Sequence, residues 1–172
     1  MQLGLFDNIS EKNKDKTNFS DPNFAGNKTR PVHRWVPWIA GFSSEFVKDI
    51  LVQYAKQRSV VLDPFAGVGT TLVEAYFAGH DVLGFEINPY AALASRVKLN
   101  AKGLNAEAMR EKTRQLRQFF NHALSNGYVP KSKPPHGFRT RVAFYSPNVE
   151  RKVLVIRDFI SMLDDAIMAE VF

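Results

Sequence analysis

An α/β fold, in which parallel strands are flanked by helices and the sheet is incomplete, follows from three features of the sequence. A short apolar run, Ser59-Val60-Val61-Leu62, stops at Asp63-Pro64 and a glycine-bearing turn. A helical apolar pattern through Leu72, Val73, Ala75, Tyr76 and Phe77 then meets Gly79. A second short run, Asp81-Val82-Leu83-Gly84-Phe85-Glu86, leads through Pro89 into another helix. Strand, helix, strand, helix with short connections makes the strands parallel and the crossover right-handed.

Residues 1–30 are polar, rich in Asn and Lys, and show no periodicity, so a flexible arm is expected there. Order begins near Pro31, and Pro31 and Pro37 forbid a regular helix around Trp35, Trp38 and Phe42. Ser43 or Ser44 offers an N-cap for a helix to about Gln57. The run ending at Leu62 is too short for a buried helix and reads as a buried parallel strand. Thr70 and Thr71 open the next helix, which Gly79 ends, and Pro89 suits the first turn of a helix to about Lys102. Residues 31–104 are thus read as one βαβα unit. Residues 105–172 form a helical, basic extension: a helix over 105–124, a loop rich in Gly, Pro and Lys, a short strand or link over 141–145, and a final helix. Ser146-Pro147 caps that helix, which carries Val149, Val153, Ile156, Phe159, Ile160, Leu163 and Ile167.

Composition narrows the function classes. A chain of 172 residues with 45% hydrophobic and 23% charged residues suits one globular domain. The absence of cysteine removes disulfides, thiolate metal sites and cysteine nucleophiles, so no metal is expected. No secretory pattern or long apolar stretch is present, so a cytoplasmic protein without a membrane partner is expected. The net charge of +6 attracts polyanions. Its surplus gathers in Lys102, Arg110, Lys112, Arg114, Arg117, Lys131, Lys133, Arg139 and Arg141, either as a solvated helix face and loop or as a phosphate-contacting surface.

The chemistry concentrates in Asp63-Pro64-Phe65-Ala66-Gly67-Val68-Gly69-Thr70-Thr71. In a βα unit this loop is where a nucleotide-like ligand lies. Gly67 and Gly69 let the backbone approach it, and Thr70 and Thr71 can cap the helix or bind a carboxylate. Leu72 stands where a dinucleotide fingerprint needs its third glycine, and no lysine is present for a phosphate loop. Asp63 repels a pyrophosphate and suits an ammonium group, which favours S-adenosyl-L-methionine over NAD or ATP. Glu86, closing the second strand, can accept ribose hydroxyls or simply cap the Glu86-Ile87-Asn88-Pro89 turn.

The nine-residue loop resembles the first cofactor motif of the DNA amino-methyltransferases, which methylate the exocyclic amine of adenine or cytosine. Gly84-Phe85-Glu86-Ile87-Asn88-Pro89 is similar to their second motif. The segment from His33-Arg34-Trp35-Val36-Pro37-Trp38 through Ile39-Ala40-Gly41-Phe42-Ser43-Ser44-Glu45 resembles their aromatic motif. The resemblance implies part of a Rossmann-like, S-adenosylmethionine-dependent methyltransferase fold and a site-specific DNA modification enzyme of the restriction-modification kind. It implies that Asp63 lies near the methionine ammonium and that Pro64, Phe65, Ala66, Gly67 and Gly69 line the pocket with Thr70 and Thr71. It further implies that Phe42 and Ser44 close the pocket, and that Glu86, with Ile87 and Asn88, holds the ribose side. Trp35 and Trp38 fit this site or a plain core equally.

The family's base-gripping tetrad, Asp, Asn or Ser followed by Pro-Pro-Tyr/Phe, is absent. Asp21-Pro22-Asn23-Phe24 has Asn at the second proline and is set aside, and Ser146-Pro147-Asn148-Val149 reads as a helix cap. No catalytic residue is therefore assigned. The expectation is an amino-terminal piece, truncated or half of a split enzyme, that binds cofactor and is inactive alone, with DNA and a second polypeptide carrying the catalytic half as partners. The alternatives are a non-catalytic nucleic-acid-binding or partner subunit and an RNA methyltransferase.

Overall fold

The computed structural model describes residues 19–39, 41–135 and 144–172. Six α-helices and two strands are seen among them. Helix α1, Ser44–Tyr54, starts at the N-cap Ser43, whose side chain accepts from the Phe46 amide. Strand β1, Val60–Asp63, runs into the glycine loop and helix α2, Thr70–Phe77. Strand β2, Asp81–Gly84, lies parallel to β1, with Val60 opposite Asp81 and Asp63 opposite Gly84. Helix α3, Pro89–Leu99, is capped by Asn88, which accepts from the Tyr90 and Ala91 amides. Its carboxyl end tightens into a 3-10 turn, Asn100–Gly103, which shortens the α-helix relative to the expected end near Lys102.

The sheet has a covered and a bare face, because successive side chains of a strand point to opposite sides. Val61 and Val82 pack on Val47 and Leu51 of α1 and Ala75 of α2. On the other face Val60 and Leu62 are 69% and 55% exposed, and Leu83 and Phe85 are 50% and 59% exposed. The expected buried strand is therefore buried on one side alone, since nothing among the described residues covers the other.

The amino-terminal segment differs from an unstructured arm over the residues described. Phe24–Lys28 forms a 3-10 helix capped by Asn23, and Asn23 bridges Phe42 in antiparallel fashion. Phe24 is buried with Val68, Ala91 and Ala94, against which Val36 and Trp38 also pack. A single apolar ring in a polar stretch has no periodicity to betray it, yet it removes a large area from water. Residues 1–18 lie outside the description, as do Arg139, Arg141 and most of the link expected over 141–145.

Helices α4, Ala106–Ser125, and α5, Pro147–Ile160, pack through Phe119 and Phe159, whose rings are 5.9 Å apart. Asp158 of α5 is buried and accepts from the Tyr128 hydroxyl and from the Lys131 and Ser132 amides, which follow α4. Burial alone would raise its pKa, but these hydrogen bonds hold it down to about 2. The single final helix expected from the apolar pattern is two: α5 stops at Ile160, and α6, Ala166–Val171, restarts at the N-cap Asp165. The Asp165 side chain accepts from the Ile167 and Met168 amides, the local bonding by which aspartate favours a helix start. An ion pair of 3.0 Å between Arg96 and Glu170 ties α6 back to α3.

Two contacts hold the glycine loop on α3. Gly69 has φ +81°, and a Cβ added there would lie 2.9 Å from the Cβ of Ser95. Lys98 is fully buried and donates its ammonium to the Val68 carbonyl at 3.1 Å. Gly69→Ala is expected to lower the melting midpoint by roughly 5 °C or more, with partial recovery on adding Ser95→Gly. An unchanged midpoint contradicts this packing. Burial lowers the Lys98 pKa from 10.5 to about 8. Between those values the unfolded chain binds more protons than the folded one, so the cost of burying the charge is fully present below pH 8 and fades as pH rises. Melting of the unsubstituted chain relative to Lys98→Met should therefore rise between about pH 8 and about pH 10. Parallel pH profiles contradict a buried, titrating lysine.

Candidate functional site

The carboxyl ends of β1 and β2 sit side by side, and the loop between β1 and α2 is stitched to the end of β2. The Ala66 amide donates to the Phe85 carbonyl at 3.0 Å, and the Phe85 amide donates to the Asp63 carbonyl at 3.0 Å. The Gly67 amide donates to Glu86 Oε2 at 2.8 Å, and Glu86 Oε1 accepts from the Asn88 amide at 2.7 Å. Glu86 thus serves the turn before α3 and the glycine loop at once. Each of its oxygens retains a further lone pair for a ligand.

A cavity of about 630 Å³ opens above this loop. That volume lies within the range of small-molecule sites, roughly 300–1,000 Å³. Of the residues expected from the sequence, Phe42, Asp63, Phe65, Ala66, Gly67, Thr70 and Thr71 line it. Asp63 Oδ1 accepts from the Phe65 amide at 3.0 Å, which fixes the carboxylate at the strand tip. Gly67 has φ +52°, and a Cβ there would stand 3.3 Å from the indole nitrogen of Trp38. Thr70 and Thr71 occupy the first two positions of α2, with Gly69 as the N-cap and no side-chain cap. Their hydroxyls are not spent on capping, and the helix start carries partial positive charge.

Six expected residues are not on the cavity wall. Ser44 is buried, gives its hydroxyl to Glu45 Oε2 and lines a separate cleft with His33, Lys48 and Glu74. Pro64 is exposed beside the loop, and Gly69 faces Ser95 of α3. Asn88 spends its side chain on capping α3, and Ile87 is fully exposed. Glu86 adjoins the cavity through its bond to Gly67.

Residues 21–24 of the cavity wall were not legible in the sequence as part of it. Asp21, Pro22, Asn23 and Phe24, set aside as an imitation of a catalytic tetrad, line the cavity with Trp38 and Ile39. Asp21 Oδ1 and Asn23 Oδ1 accept backbone amides of this same turn, so both side chains serve its shape. The signal was a polar stretch just before the aromatic segment, whose partners are distant in sequence.

The basic surplus divides. Arg110 and Arg114 pair with Glu107 and Glu111 along exposed α4, and Lys102 lies over the rings of Tyr76 and Phe77. Among the described residues no group of His, Asp and Glu is placed to hold a metal ion, and no helix is long and apolar enough to cross a membrane.

The type II methyltransferase M.BsoBI of Geobacillus stearothermophilus is 28% identical over 63% of this chain and 23% of its own length. M.AvaI of Nostoc is 37% identical over 39% of this chain and 14% of its own. M.MjaII of Methanocaldococcus jannaschii is 33% identical over 42% of this chain and 14% of its own. The chain thus spans less than a quarter of the length of the curated relatives it matches, and no solved structure matches it. A family described as DNA methylase matches residues 5–96, more than half of the chain, and together with the loop, its paired acid and the aromatic wall this makes the protein a member of the DNA amino-methyltransferase family.

Proposed function

We infer that the cavity binds S-adenosyl-L-methionine and that the chain forms the cofactor-binding portion of a site-specific DNA methyltransferase acting on an exocyclic amine of adenine or cytosine. The observation that carries this reading is the junction of Asp63, Gly67 and Glu86 at the tips of two parallel strands. An amino acid joined to a nucleoside needs an acid for its ammonium, donors for its carboxylate and an acceptor for its sugar. Asp63 supplies the first, Thr70, Thr71 and the first turn of α2 the second, and Glu86 the third. When bound, the cofactor supplies an electrophilic methyl group on a sulfonium sulfur. Phe42, Phe65 and Trp38 give the cavity aromatic walls against which the apolar parts of the cofactor can pack.

Transfer to a base amine also requires groups that hold the base after it leaves the stack. The tetrad that does so in this family is absent from the 172 residues. Such groups, and cover for the bare face at Val60, Leu62, Leu83 and Phe85, come from further polypeptide in this reading.

Isothermal titration of the 172-residue chain with S-adenosyl-L-methionine should show saturable binding. Asp63→Ala and Glu86→Ala should each weaken it about tenfold or more, the loss of one charge-assisted contact. No heat, or no change in either variant, contradicts the reading. In a radiolabelled methyl-transfer assay on mixed DNA and RNA the chain alone should give no turnover, and robust turnover would overturn its assignment as a cofactor-binding portion.

A further inference from the structure

The side chain of Asn27 is fully buried and joins three segments distant in sequence. Its amide nitrogen donates to the Phe42 carbonyl at 3.0 Å and to Thr70 Oγ1 at 3.4 Å, and its oxygen accepts from the Ser44 amide at 2.8 Å. The 3-10 helix of the amino-terminal segment, the entry to α1 and the first turn of α2 meet on this one amide. Phe42 and Thr70 both line the cavity. The segment is held against the same entry turn by Ser43, whose amide donates to the Pro22 carbonyl and whose hydroxyl donates to the Asp21 carbonyl.

The polarity of the Asn27 contact has a chemical consequence. A hydroxyl has one proton to give and can accept as well. Because Thr70 Oγ1 accepts from Asn27, its proton stays available to donate into the cavity. We propose that Asn27 is a positioning residue for the amino-acid end of the cofactor: it sets Thr70 as a donor toward a carboxylate and fixes the Phe42 wall at the matching distance. This rests on the reading that the cavity takes S-adenosyl-L-methionine. Aspartate at this position cannot act in the same way. It has no N–H, so the Thr70 hydroxyl turns to donate to it and is withdrawn from the carboxylate.

The test compares two ligands in three chains. S-adenosyl-L-methionine has the amino-acid end, and 5′-methylthioadenosine keeps the nucleoside and sulfur without it. Binding to the unsubstituted chain, Asn27→Asp and Asn27→Ala is measured by titration below the melting midpoint of each. Asp49→Ala serves as control, because it cuts the 2.8 Å bond from the Ser20 amide, a tether of the same segment away from the cavity. The expected result is a loss of about tenfold for S-adenosyl-L-methionine in both Asn27 variants. Affinity for 5′-methylthioadenosine should stay within about twofold, and Asp49→Ala should bind both as the unsubstituted chain does. Equal losses for the two ligands, no loss for either, or failure of both Asn27 variants to fold would assign Asn27 a purely structural role and overturn the proposal. If the unsubstituted chain binds neither ligand, the cofactor reading itself fails and this inference with it.

Discussion

The amide of Gly67 resting on the carboxylate of Glu86 is the contact around which the described site is organised. It joins the loop after β1 to the residues that follow β2, so the two strand tips act as one platform. A parallel pair needs a crossover, and α2 is that crossover. The strand ends therefore arrive together while the start of α2 points back over them. Left without this bond, the loop would carry an unpaired amide beside a partly buried carboxylate, and both groups would lose a charge-assisted partner. The positive φ of Gly67 is the backbone conformation that brings its N–H to that acid.

The loop is supported from beneath as well as from the side. Lys98 holds the Val68 carbonyl, and Ser95 leaves no room for a side chain at Gly69. A carbonyl held from below cannot turn into the cavity, which leaves the upper side of the loop to amide groups and to Asp63. Support through α3 also explains why the loop packs so closely on a helix that contributes no residue to the cavity wall.

What was legible in the sequence was what is local. The run from Asp63 to Thr71 announces a strand, a tight loop and a helix within a dozen residues, and Asn88-Pro89 announces a helix start, because caps and turns are set by nearest neighbours. Glu86, expected to close the second strand, lies two residues beyond its end at Gly84, and its bond to Gly67 was not legible. The aromatic segment was legible as part of the site, but the division of labour within it was not. Phe42 lines the cavity while Ser44, two residues on, is buried against a separate cleft, since the N-cap Ser43 lies between them and α1 begins at Ser44. The packing of Phe24 and the bonds of Asn27 are not local, because their partners lie far along the chain; Asn27 reaches Thr70 across 43 residues. The division of the final apolar pattern into α5 and α6 was not legible for a different reason, because the Asp165 cap restarts a helix without breaking hydrophobic spacing.

The claim that the strand-tip platform receives the cofactor is tested most directly by following individual amides during titration with S-adenosyl-L-methionine by nuclear magnetic resonance. The largest shifts should fall on Gly67, Thr70 and Thr71 and on the indole N–H of Trp38, while α4 and α5 stay still. Shifts centred on α4 and α5, or no response around Gly67 at saturating ligand, would contradict it.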